Sequence, residues 1–160
     1  MLRATVIVAL GVALTVGAAS RAPRFEDFRV TEVFKGKPPN IDLRTVMQKR
    51  YPTQIRKQAI LPANFAGHFR IAEWGCGTSC GMLAVIDLKT GKVYDGPFQD
   101  MDYGEQYRYE GGSQDLEYRV SSSLLVARGC PEFKNCGTYY YEWKGDKFDL
   151  LRFVPHGPLL

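Results

Sequence analysis

The chain has 160 residues, 21 of them basic and 17 acidic for a net charge of +4, and 45% of it is hydrophobic. That is length and apolar content enough for one ordinary domain with a buried core, and it excludes a disordered or low-complexity protein. Lys and Arg are scattered and form no stripe, so nucleic acid is not an expected partner.

The opening segment, "MLRATVIVALGVALTVGAAS", carries one basic residue, Arg3, then an apolar run over 4–16, then small residues. This layout predicts a secretory signal peptide over 1–20, cut after Ala18, Ala19 or Ser20. The run falls short of the roughly 20 residues that a hydrocarbon span needs. The alternative reading is an uncleaved anchor. Cleavage leaves residues 21–160 as a single periplasmic or secreted domain, with no membrane contact once the leader is gone.

Residues 21–40 are charged and broken by prolines, with Phe28, Val30 and Val33 spaced for a short edge strand. Asn40 suits a helix N-cap. In "IDLRTVMQKRYPTQIRKQAI", Leu43, Val46, Met47, Tyr51, Ile55 and Ala59 recur at helical spacing. Pro52 breaks or kinks that helix near Tyr51, and Thr53 can start a second piece. Arg44, Lys49, Arg50 and Lys57 take the outer side, expected to be a solvated face.

From His68 the period changes to two. "HFRIAEW" and "GMLAVIDL" read as neighbouring strands joined by the loop "GCGTSCG". "KTGK" is a tight turn, and "KVYDG" returns antiparallel. "PFQDMDYG" is an acidic loop. Two or three strands follow in "EQYRYEGGSQDLEYRVSSSLLVARG", and "CPEFKNC" makes a second short loop. The ending, "GTYYYEWKGDKFDLLRFVPH", reads as a hairpin about Gly145 and Asp146. The expected fold is therefore α+β: a kinked N-terminal helix packed on an antiparallel sheet of about five to seven strands.

All four cysteines, Cys76, Cys80, Cys130 and Cys136, lie in the exported part, where disulfides are the default. Three pairings are possible. The two local ones, Cys76–Cys80 and Cys130–Cys136, are expected, each closing a loop between strand-like runs; a crossed pairing stays open on spacing alone. Thiol redox chemistry is disfavoured, because C-x-x-x-C lies between strands with no helix end to activate a thiolate. Zinc is disfavoured because the spacings do not match its usual knuckles. No metal and no cofactor are expected.

Other chemistry is thin. His68 and His156 are the only histidines, and no G-x-S-x-G elbow accompanies Ser121, Ser122 or Ser123. Asp100, Asp102, Glu105 and Glu110 cluster near Tyr103, Tyr107 and Tyr109, a composition that can line a glycan site. "DMD" lacks the residue series of a calcium loop. What remains is recognition surface. Tyr139, Tyr141 and Trp143 alternate onto one face of a strand and Tyr140 onto the other, with one set exposed to partners. The stapled loop presents Phe133 and Lys134. A cross-linked loop loses little entropy on binding.

"NFAGHFRIAEWGCGTSCGMLAVIDLKTGKVY" resembles a family of uncharacterised exported bacterial proteins. That family carries an N-F-A-G-H-Y run, a W-G-C-G-T-x-C loop and a D-x-x-T-G-x-V-Y hairpin; here Phe69 replaces the tyrosine. The resemblance implies export and brings no activity. The general arrangement is also similar to the bacterial inhibitor of vertebrate lysozyme, in which a cysteine-closed loop enters the enzyme cleft. That family's loop carries a histidine, and neither "CGTSC" nor "CPEFKNC" does.

The reading is a non-enzymatic envelope binding protein, an inhibitor of a secreted hydrolase such as lysozyme being one form of it. Its binding residues would be Phe133, Lys134, Tyr139, Tyr141 and His68, and its partner an unidentified envelope protein or glycan. The alternative is a small enzyme acting on cell-wall glycan, with His68 and the Asp100–Glu110 region.

Overall fold

A computed structural model of the chain describes residues 21–36, 38–103, 116–132 and 134–156; the expected leader over 1–20 lies outside them. Among the described residues two short helices, α1 (Val46–Arg50) and α2 (Pro52–Ala59), precede eight strands. These are β1 (Phe69–Gly77), β2 (Cys80–Asp87), β3 (Val93–Asp95), β4 (Met101–Asp102), β5 (Leu116–Tyr118), β6 (Leu124–Pro131), β7 (Gly137–Trp143) and β8 (Phe148–Pro155). The α+β class is as the periodicity indicates. The strand number exceeds the five to seven expected because "PFQDMDYG", read as an acidic loop, holds β4, whose two residues are too few to show alternation.

Every strand pairing is antiparallel. The order is β1-β2-β4-β6-β7-β8, with β3 added to β2 and β5 to β6. The sheet folds on itself. Phe69, Ile71, Leu83 and Val85 of β1 and β2 meet Leu125, Ala127, Tyr139, Tyr141 and Trp143 of β6 and β7 in one core. Trp143 stands at the meeting of the layers, with its ring 5.2 Å from Phe69, 5.4 Å from Tyr94 and 4.8 Å from Phe148. The near-continuous apolar run of β2 is explained by its two buried faces. Leu83 and Val85 point to the inter-layer core, while Ala84 and Ile86 point to the helices. On the helix side Ile55 and Ala59 cover Ala72, Trp74, Ala84 and Ile86. Full burial of Ile55 contributes about 2–3 kcal/mol of apolar transfer.

The helix breaks where the sequence indicates. Tyr51 leaves helical geometry at φ −120° and ψ 42°, and Pro52 opens α2 as its first residue, where its missing N–H costs nothing. The start differs from expectation: the N-cap is Thr45, not Asn40. Residues between them are held to the β2–β3 turn instead, through a bridge between Asp42 and Lys92. The later start and the break shift the helical phase, so Val46 is 85% exposed although its spacing suited the buried stripe. Residues 28–33 likewise form no strand. A 3-10 turn spans Phe25–Phe28, and only Arg29 makes a bridge, to Ser122.

Gln48 ties α1 to the sheet. It is buried, and both ends of its amide are satisfied. Its Oε1 accepts from the backbone N–H of Arg44 and Thr45, and its Nε2 donates to the Val93 carbonyl and to Asp95 Oδ1. The capping box is thus also the joint between α1 and β3.

Candidate functional site

Both disulfides are local, Cys76–Cys80 and Cys130–Cys136, and no described cysteine is free. Their neighbourhood differs from two isolated loops. β1 runs through Cys76 to Gly77 and β2 starts at Cys80, so the first connection is a two-residue turn with Ser79 at φ 55°. Cys76 is the extra residue of a bulge, since Gly75 pairs with Gly81 and Gly77 with Cys80.

The decisive feature is β4. Asp102 lies opposite Cys80 on one side and opposite Cys130 on the other. Adjacent strands are about 5 Å apart, so two cross-links whose nearest cysteines lie 50 positions apart in sequence stand on either side of β4, about 10 Å from one another, at one end of the sheet. Each loop is also hydrogen-bonded to its surroundings. Tyr103 N–H donates to the Ser79 carbonyl at 2.6 Å, and Glu132 N–H donates to the Asp100 carbonyl at 3.3 Å. The Tyr139 hydroxyl donates to the Asn135 carbonyl within the second loop. Gly77, Thr78, Glu132, Lys134 and Asn135 are exposed at this end.

The binding residues proposed from sequence separate accordingly. Lys134 is exposed on the second stapled loop; Phe133 lies outside the described residues. Tyr139 and Tyr141 are buried on the core face, their rings stacked 6.0 Å apart, so theirs is the set that alternation sends inward. Burial pushes the Tyr141 phenol up to about 12. Tyr139 serves the stapled loop from inside, through the hydrogen bond to Asn135.

His68 sits at the far end of β1. Its Nε2 is 3.7 Å from Asp87 Oδ1, and its ring packs on Phe69. Burial holds its pKa below the ordinary histidine value; the Asp87 charge opposes that, and Lys89 adds to it. Asp87 is itself occupied by the turn, accepting from Lys89 N–H, Thr90 N–H and the Thr90 hydroxyl. Phe69 pairs with Asp87 and Gly81 with Gly75, so His68 and the β4 end are separated by about 20 Å of strand. His68 therefore shares no site with Asp100 or Asp102; Glu105, Tyr107, Tyr109 and Glu110 lie outside the described residues.

The resembling motif is occupied by folding. Asn64 donates to and accepts from the backbone of Ile71, as a strand neighbour would. Phe65 is fully buried. Gly67 N–H donates to the Val120 carbonyl, and Phe34 N–H donates to the Gly67 carbonyl. This short run fastens the N-terminal segment, the start of β1 and the β5–β6 connection to one another.

Two clefts flank the Asp95-Gly96-Pro97 ridge that follows β3. The larger, about 550 Å³, lies between β3 and the β7–β8 hairpin and includes Tyr94, Tyr141 and Phe148, with Arg44, Lys92 and Asp146 among its charged residues. The smaller, about 480 Å³, lies along α1 and includes Met47, Tyr51 and Met82 and reaches Glu132 of the second stapled loop. Sequence reasoning missed both, since their walls come from segments far apart in the chain. Among the described residues no group of three or more His, Cys, Asp or Glu side chains could hold a metal ion, and no helix is long and apolar enough to cross a membrane. Compared with family models, with curated proteins and with solved structures, the chain matches none.

Proposed function

We propose that the chain is a binding protein of the cell envelope, periplasmic or secreted, that engages a secreted hydrolase such as lysozyme through its paired stapled loops. One observation carries this reading: Asp102 pairs with Cys80 and Cys130, so two cross-linked loops form one rigid surface. A surface already fixed in the free protein gives up little conformational freedom on binding. Lys134 stands exposed on it, and a glycan hydrolase presents paired catalytic carboxylates in its cleft, a fitting counterpart for an ammonium group. The two disulfides suit an oxidising compartment.

The test titrates lysozyme with residues 21–160 and follows both clearance of peptidoglycan and complex formation. Stoichiometric loss of lysozyme activity is expected, with Lys134→Glu weakening inhibition by about tenfold or more through like-charge repulsion. Full lysozyme activity at excess protein, with no complex formed, overturns the reading. Release of soluble sugar by the chain alone supports the glycan-cleaving alternative instead. Mass spectrometry of the exported protein, with a new N-terminus at Ala19, Ser20 or Arg21, tests the localisation.

A further inference from the structure

β8 is the outermost strand of its layer, and among the described residues its backbone pairs with β7 alone. Edge strands of stable monomers are usually short, charged or covered. This one leaves Leu150 54%, Leu151 39% and Phe153 37% exposed. Phe148 and Leu150 also line the 550 Å³ cleft, together with Tyr94 of β3.

Three further features define an occupant. The free N–H and C=O groups of a strand edge are satisfied in register only by another extended backbone. The ladder beside it is interrupted: Leu150 pairs with Tyr141 and Arg152 with Tyr140, leaving Leu151 as a bulge. A bulge bends the strand and stops a long added ladder, which favours a short segment over an open-ended sheet. The charges sort as well. Arg44 is bonded to Asp42, Lys147 lies 3.5 Å from Asp149, and Asp95 accepts from Thr45 and Gln48. Lys92 and Asp146, also in the cleft, have no ion-pair partner among the described residues.

We infer that the β8 edge and its cleft form a binding site for a short extended peptide. The peptide adds as a strand along Phe148–Leu150 and places apolar side chains against Phe148, Leu150 and Tyr94. It carries one acidic residue for Lys92 and one basic residue for Asp146. The site is separate from the stapled-loop surface and does not depend on the hydrolase reading.

The experiment uses residues 21–160 and a positional library of end-blocked hexapeptides with alternating valine and tyrosine. Its members carry one acid and one base, the acid alone, the base alone, or neither. Binding is read by fluorescence anisotropy and by amide hydrogen exchange along β8. Peptides with both charges are expected to bind best and to protect amides of 148–150. Lys92→Glu is expected to weaken them about tenfold and to favour the members that carry the base alone. N-methylation of the peptide backbone should abolish binding while leaving its side chains unchanged. Equal binding of charged and neutral members, binding that survives N-methylation, or no binding anywhere in the library overturns the proposal. So does a protein dimer in sedimentation that Leu150→Asp dissociates, since the edge is then covered by a second copy.

Discussion

Gly67 has φ +80°, and a Cβ added there would lie 2.4 Å from the Glu32 carbonyl oxygen. Backbone strain and collision act together, so Gly67→Ala is expected to destabilise by about 1–3 kcal/mol or more, read from the urea midpoint. Gln48→Ala removes four hydrogen bonds and leaves Asp95, the Val93 carbonyl and two backbone N–H groups to find new partners. The expected cost is about 2 kcal/mol in the same measurement. Histidine gives a pH test. Burial lowers the pKa of His68 and of His156, with Arg128 adding to the effect at His156, so the folded state resists a proton that the unfolded chain takes up near pH 6.5. Stability contributed above that pH is lost as pH falls through it. The urea midpoint should drop between pH 7.5 and 5.5, and His68→Gln should reduce the drop; an unchanged pH dependence in that variant would contradict the burial of the ring.

At the scale of elements, local chemistry was legible in the sequence. Pro52 marks the helix break, "KTGK" marks the β2–β3 turn, and each disulfide joins cysteines only 4 or 6 positions apart. Alternation also divided Tyr139, Tyr141 and Trp143 from Tyr140, but it could not say which face met the other layer. That depends on the fold of the sheet about β4, a two-residue strand with no periodicity of its own. The seam gives a further prediction. Each bridge closes a short loop and is worth about 2 kcal/mol on the chain-entropy account. Reduction should therefore lose hydrogen-exchange protection first at residues 80–81, 101–102 and 130–131, where β4 pairs, while β7 and the interior of β6 remain protected. Uniform loss across all strands would show that the bridges support the whole sheet equally.

Across the whole molecule, the β1–β2 pair is the shared wall of two apolar cores, one under the helices and one between the layers. Trp143 is buried in the second and touches rings from the segment before β1, from β1, from β3 and from β8. Trp143→Ala should cost about 3–5 kcal/mol, a large share of a domain's ordinary stability of about 5–15 kcal/mol, with the urea midpoint lowered and the near-ultraviolet circular dichroism weakened. The candidate surface is a property of this scale too. Nothing in "GCGTSC" or "CPEFKNC" says that the two loops are neighbours; only their common partner, Asp102, makes them so.

The nearest-neighbour linkage of the thiols has a consequence for biogenesis. If the chain is exported and oxidised N-terminus first, as proposed above, Cys76 and Cys80 would be joined before Cys130 is available, and the second pair would have only itself to join. Oxidation in that order would reach the native linkage without shuffling, so maturation in an oxidising compartment is expected to need an oxidant and no isomerase.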